Sequence, residues 1–267
     1  MKWFSNVLGG VIVAIGLIGC GGGSSDNNLP SQDDMVKLTK ANSESKAIEA
    51  TVTGSAGSLI VYYYTTLVKE AVDNDVVNCD SGDGNIVKDG NKYKITLNNC
   101  KADGKIYNGK IDVVVDSNDD QNQTYNNFEI KKEGEYDVKI TKGSFLYDAD
   151  EVEFKGDNLE IYIKINDKES YYLDYKFVYN KNEKNFNISG YVKSTCLGKW
   201  IKIDKYILDT DDKTIEANYS SLNKTIRLNT SPSGNIILTN IDDTTKDLGS
   251  YSDFENKLEH SECIIGG

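Results

Sequence analysis

Residues 159–179 read LEIYIKINDKESYYLDYKFVY, two alternating runs on either side of a polar turn. In the first run Leu159, Ile161, Ile163 and Ile165 fall on one side, opposite Glu160, Tyr162 and Lys164. In the second, Tyr171, Leu173, Tyr175, Phe177 and Tyr179 share a side. Successive residues of a strand point to opposite faces, so a period of two predicts antiparallel strands with one face on a core and the other in water. Asn166-Asp167-Lys168 is a turn short enough to join them as neighbours.

The same period extends in both directions. Towards the N-terminus, KYKITLN aligns Tyr93, Ile95 and Leu97, KIDVVVD aligns Ile111, Val113 and Val115, and EYDVKIT aligns Tyr136, Val138 and Ile140. Towards the C-terminus, strands are expected at 186–193, 199–208, 213–219, 224–229 and 235–241. Further turns are expected at Asp89-Gly90-Asn91, Asp103-Gly104, Asn108-Gly109, Gly156-Asp157-Asn158 and Asn180-Lys181-Asn182. The fold class expected is mainly β with a minor α part: a long antiparallel meander forming a curved sheet, an open barrel or a sandwich. A membrane-spanning barrel fits poorly. Its strands need about ten residues with an uncharged lipid-facing side, and the apolar faces here are short and end in charged turns.

Ahead of the strands, residues 38–72 form the helical segment. Ala47, Ile48, Ala50, Thr51 and Val52 suit one face of a first helix with Asn42 or Ser43 at its N-cap. Gly54 and Gly57 are expected to interrupt it, and a second helix follows, with Leu59, Tyr62, Tyr63, Leu67 and Ala71 at three-to-four spacing. The run LIVYYY within it is also strongly β-prone.

Composition narrows the partners. The chain has 267 residues and a formal charge of −12, and its 30 basic residues are lysines apart from Arg227. A body this acidic is a poor partner for nucleic acid or anionic lipid surfaces. Seventeen tyrosines stand against two prolines and one histidine; strand packing is the preferred reading of that richness over an aromatic binding platform. Cys79, Cys100, Cys196 and Cys263 read as a disulfide framework, for which four cysteines allow three connectivities. Proximity in sequence favours Cys79 with Cys100 and Cys196 with Cys263. Zinc ligation would need closer paired spacing and histidine partners.

No catalytic constellation is visible, and no enzyme activity, metal or cofactor is expected. A serine triad would have to use His260, which lies in a charged tail. Asp148, Asp150, Glu151 and Glu153 cluster beside Phe145 and Tyr147, a combination found at sugar sites; among 42 acidic residues a solvated loop is the preferred reading. The acidic stretches at 79–85, 116–122 and 209–212 lack the aspartate spacing and closing glutamate of a calcium hand.

The first twenty residues, MKWFSNVLGGVIVAIGLIGC, have a cationic start and an apolar core from Val7 to Leu17 that is too short to span a bilayer. The end of this stretch, Leu17-Ile18-Gly19-Cys20, resembles the lipobox of bacterial lipoproteins. The resemblance implies that Cys20 receives diacylglycerol, that the chain is cut before it, and that acyl chains such as palmitate hold the mature N-terminus in a membrane. In enteric lipoproteins an aspartate after the cysteine signals inner-membrane retention. Gly21 and Gly22 stand here instead, so the outer membrane is favoured, with the domain facing the periplasm or the cell surface. The domain organisation expected is a signal peptide at 1–19, a flexible tether at 20–35 and one β-rich domain at 36–267.

The stretch LTKANSESKAIEATVTGSAGSL, followed by YKITLNNC and YNGKIDVVV, is similar to a poorly characterised class of Gram-negative lipoproteins and secreted proteins. That class shares a helical start, a cysteine-stapled hairpin and a β-meander, and the resemblance brings no activity with it. The leading expectation is a membrane-anchored lipoprotein used in envelope architecture or in binding an envelope protein or glycan. Alternatives are a lipid or lipoprotein carrier whose concavity is lined by Tyr171, Tyr175 and Tyr179, and a carbohydrate module centred on Asp148 or Glu151. Two sites, DQNQT around Asn122 and EANYS around Asn218, resemble the acid-extended acceptor sequon of bacterial N-glycosylation. Mass spectrometry of the native protein tests them: unmodified peptides at both Asn122 and Asn218 remove that expectation.

Overall fold

The computed structural model describes residues 29–261 except 149–152, 181, 183–184 and 210, and for residues 59–67 the backbone alone. The leader, Cys20, Glu151 and Cys263 lie outside the described residues.

The alternating runs form one open antiparallel sheet of thirteen strands in chain order, each paired with its neighbours in sequence. The strands are β1 (Ser81–Asp89), β2 (Lys92–Ala102), β3 (Lys105–Val115), β4 (Gln121–Lys132), β5 (Tyr136–Tyr147), β6 (Glu153–Ile165) and β7 (Lys168–Asn180). They continue as β8 (Asn185–Ser194), β9 (Ile201–Asp209), β10 (Thr214–Ser221), β11 (Lys224–Thr230), β12 (Asn235–Thr239) and β13 (Thr245–Ser250). β1 and β13 end the order without pairing to each other, so the sheet does not curl shut, and of the forms expected the open one is found.

One face of the sheet is covered by helix α1 (Ser43–Asp73) and a second helix, α2 (Tyr251–Glu259), follows β13. Helix α1 runs unbroken through Gly54 and Gly57, where the sequence led us to expect a break between two helices. Glycine costs about 1 kcal/mol in a helix interior, and tertiary contact outweighs that here. A Cβ on Gly54 would lie 2.7 Å from Ile203 Cδ1, and one on Gly57 would enter the Tyr172 ring. The two glycines are the points where the helix presses on the strands. The β-prone run at 59–64 lies within the same helix, its propensity overridden.

Helix α2 was not expected. Its signal is a capping box, with Ser250 Oγ accepting from the Asp253 amide and the Asp253 carboxylate accepting from the Ser250 amide. Glu44, in the first turn of α1, binds Lys246 of β13 and, at 2.9 Å, Lys257 of α2. Burial works against ionisation there, but the two ammonium groups outweigh it and hold the Glu44 carboxyl below its usual range.

Two of the expected turns are bulges inside strands. Gly109 lies within β3 at φ +116° and Asn158 within β6 at φ +52°. They belong to a line of register shifts that crosses almost every pairing from β1 to β10. Along this line a glycine faces an asparagine or aspartate of positive φ on an adjacent strand: Gly82 with Asn99, Gly109 with Asn127, Gly143 with Asn158, and Gly190 with Asp174. Bulges bend a strand and increase its twist. A strand of 13 residues, about 43 Å long, far exceeds the roughly 10–12 Å width of one helix.

The bulge at Asp174 also corrects the reading of β7. Tyr175 and Phe177 are buried in the core as expected, but Tyr171 and Leu173 face outward and Ser170 and Tyr172 take the inward positions. One extra residue inverts the alternation.

Cys79 and Cys100 form a disulfide that ties the approach to β1 to β2. Cys196 is also disulfide-bonded.

Two glycines of positive φ separate strain from crowding. At Gly109 a Cβ would meet Phe128 Cα at 2.7 Å, whereas at Gly90, φ +62°, nothing lies within 4 Å. Gly109→Ala is expected to cost more than about 2 kcal/mol and Gly90→Ala about 1 kcal/mol. Urea unfolding of the two variants tests this, and equal midpoints would contradict it.

Candidate binding cleft

The last turn of α1, the link at 74–80 and strands β2 to β4 leave an apolar cleft of about 310 Å³. Val68 and Ala71 form its helix side, Ile95 and Leu97 of β2 its floor, and Tyr107, Ile111 and Phe128 its far wall. These side chains converge because the alternation of β2 to β4 sends them to the inward face, while the disulfide draws Val77 and Asn78 down beside Cys100. The polar rim consists of Glu70, Asn74, Asn78 and Asp103, all exposed. The volume is at the lower end of the range for small-molecule pockets. A second hollow, of about 380 Å³, lies between Lys40, Glu44, Asn240 and Lys246; its charges are spent on one another and on Asp242, through Lys40 with Asp242 at 2.9 Å and Glu44 with Lys246.

The concavity expected between Tyr171, Tyr175 and Tyr179 is filled. Tyr175 is fully buried and its hydroxyl donates to Gly54 O of α1 at 2.6 Å, with Tyr172 donating to Thr53 O at 2.8 Å. Thr51 and Tyr219 share a hydrogen bond of 2.6 Å, and Ser55 donates to the Tyr206 hydroxyl at 3.2 Å. Burial pushes these four phenols upward. They remain protonated and serve as partners for the helix, which accounts for many of the tyrosines as packing. Nearer the end of α1, Asp73 accepts from Gln121, Gln121 from Gln123, and Gln123 from the buried Tyr125 hydroxyl.

Of the acidic cluster weighed as an alternative sugar site, Asp150 and Glu151 lie outside the described residues, and Asp148 and Glu153 do not face an aromatic cleft. Phe145 and Tyr147 are buried in the core, and Asp148 is half-buried at the end of β5 with its amide donating to Glu153 O. The carboxylate that burial does raise is Asp137, on the outward face of β5, beside Lys139 at 3.4 Å. Its neighbours form a lattice that the sequence did not reveal. Glu169 accepts from both Tyr162 (3.2 Å) and Tyr171 (2.9 Å) and pairs with Lys164 at 3.3 Å. Burial opposes ionisation of Glu169, but the hydrogen bonds from Tyr171, Lys164 and Tyr162 hold it below the ordinary range. Burial and then the bond to Glu169 push Tyr171 up to about 12. The signal was available in the outward positions of the alternating runs, whose cross-strand registers pair Lys139 with Tyr162 and Tyr162 with Tyr171.

The remaining candidates are dispersed. His260 is exposed, with Nδ1 2.8 Å from Asn256 O at the end of α2. In the acidic loops, Asp116 Oδ1 accepts from the amides of Asn118 and Asp120, and Asp209 Oδ1 from those of Asp211 and Asp212. These carboxylates shape turns. Among the described residues no group of three His, Cys, Asp or Glu side chains is placed to hold a metal ion. Asn122 is exposed on β4 and Asn218 half-buried on β10, both within strands, whereas acceptor asparagines are expected in surface loops. Cys20 and Cys263 fall outside the described residues.

No family model, curated protein or solved structure matches the chain.

Asp137 Oδ1 is buried without a partner, so its ionised form costs the fold something. With the native pKa above 3.8, stability falls as pH rises through the native pKa. Asp137→Asn removes that cost, while Lys139 keeps Glu129 at 3.1 Å. The variant is expected to be more stable at neutral pH, by less than about 1 kcal/mol, with the advantage gone below pH 3.8. Thermal unfolding across pH measures it, and a variant less stable at neutral pH would refute it.

Proposed function

We propose that this chain is an exported lipoprotein anchored through acylated Cys20, favouring the outer membrane, whose β domain serves the cell envelope by binding a partner rather than by catalysis. The observation that carries the reading is the Cys79–Cys100 bridge. Such bridges persist in oxidising compartments, and this one agrees with the export signal read at residues 1–19. The acidic charge of the chain supports a domain that stands off an anionic membrane surface while the acylated terminus engages it.

A carrier of small apolar molecules is the second reading. The cleft between α1 and the stapled hairpin favours it, since its apolar walls and polar rim match the usual make-up of a ligand site. Glycan binding, the third class considered, lacks the aromatic lining it would need among the described residues, since Phe145 and Tyr147 are buried in the core.

Growth with an alkyne-tagged palmitate tests the anchoring. Wild-type chain is expected to take up the label and to sediment with outer-membrane fractions, and Cys20→Ala is expected to take up none. Label retained by Cys20→Ala, or missing from wild type, would sink the reading.

A further inference from the structure

The rim of the cleft beside the Cys79–Cys100 bridge carries charge of one sign. Its walls are apolar, but the charged side chains at its rim, Glu70 and Asp103, are of one sign, and among the described residues no lysine lines it in a chain of 30 basic residues. The helix adds to this. Helix α1 ends at Asp73, beside the rim residues Glu70 and Asn74, and a helix C-terminus carries roughly half a negative charge. Its last turn contains no basic residue to offset that charge. The nearby ammonium groups of Lys69 and Lys88 are held at 2.8 Å by Asp73 and Asp75.

We propose that the cleft binds an amphipathic cation, an unbranched apolar tail carrying a protonated amine or quaternary ammonium group. The tail lies against Ile95, Leu97 and Ile111, and the cation sits between Glu70, Asp103 and the helix end. A volume of about 310 Å³ is about ten times the roughly 30 Å³ share of one water, which sets the scale of the tail at about ten heavy atoms. A fatty acid has the same tail but sets its carboxylate against like charges, and is disfavoured. This proposal rests on the second reading, a carrier site in the same cleft, and not on membrane anchoring: no saturable shift with either amphiphile removes both, whereas tighter binding of decanoate removes the charge preference alone.

Decylamine and decanoate, titrated separately at neutral pH into purified full-length chain carrying Cys20→Ala, provide the test, with the amide resonances of Ala71 and Leu97 as the readout. Decylamine is expected to shift both resonances saturably, with a dissociation constant at least about tenfold below that of decanoate. Glu70→Lys changes an exposed side chain and is expected to weaken decylamine at least about tenfold with the unfolding midpoint not lowered, since a cation suits a helix C-terminus. Leu97→Trp fills the cleft and should abolish binding of both; should that variant not fold, the Glu70→Lys arm decides. Equal or tighter binding of decanoate, indifference to Glu70→Lys, or no saturable shift with either amphiphile overturns the proposal. Because the tested chain carries no lipid, its result is independent of whether Cys20 is acylated in cells.

Discussion

The structure depends on how closely one helix can approach the sheet. Thirteen strands at about 4.8 Å spacing make a sheet roughly 58 Å across, and a helix of 31 residues spans about 46 Å. Helix α1 therefore crosses most of the apolar face, from Glu44 beside β13 to Asp73 beside β4. Gly54 and Gly57 set the distance, and the phenols of Tyr172, Tyr175, Tyr206 and Tyr219 fix the position along the axis by bonding to residues 51–55. Buried polar groups are costly when unpaired, so sliding or rotating α1 would break several bonds in one step. A core of purely apolar contacts would resist such movement less.

The same constraint explains the outward face. With most of one face covered by helix α1, no second sheet is needed, and the outward positions of the described strands are exposed or half-buried. They are dressed accordingly in alternating charges. Lys139 bridges Glu129 and Asp137, Lys176 pairs with Asp157, and Lys205 pairs with Glu216. Each such pair contributes little alone. Together they cover much of the outward face of an acidic chain with paired charge.

Much of the fold was legible in the sequence because it is written in a period of two, which depends only on neighbouring residues. The alternation in Leu159–Ile165, Tyr93–Leu97 and Tyr136–Ile140 places side chains on the faces where they are found. Reading failed where one residue changed the count or where distant packing overruled local preference. Asn108-Gly109 and Gly156-Asp157-Asn158 have the composition of turns, but positive φ serves equally in a bulge, and nothing local distinguishes the two uses. Gly54 and Gly57 look like helix breakers until Ile203 and Tyr172, more than a hundred residues away, are seen against them. The cleft was illegible for a related reason. Val68, Leu97, Tyr107 and Phe128 belong to four separate elements, and only the bridge from Cys79 to Cys100 and the end of α1 bring them around one space.

Strict sequential order in the sheet has a kinetic meaning. Every strand pairs with the strands just before and after it in the chain, so the loops closed in forming each contact are short and their entropic cost is small. The meander can zip from any hairpin outward, as arrays of repeats do, and sheets built from such local contacts fold faster than sheets of mixed order. The growing end presents an unsatisfied edge until the next strand arrives. Because that strand is always the next stretch of chain, the edge is covered from within before a foreign strand can reach it.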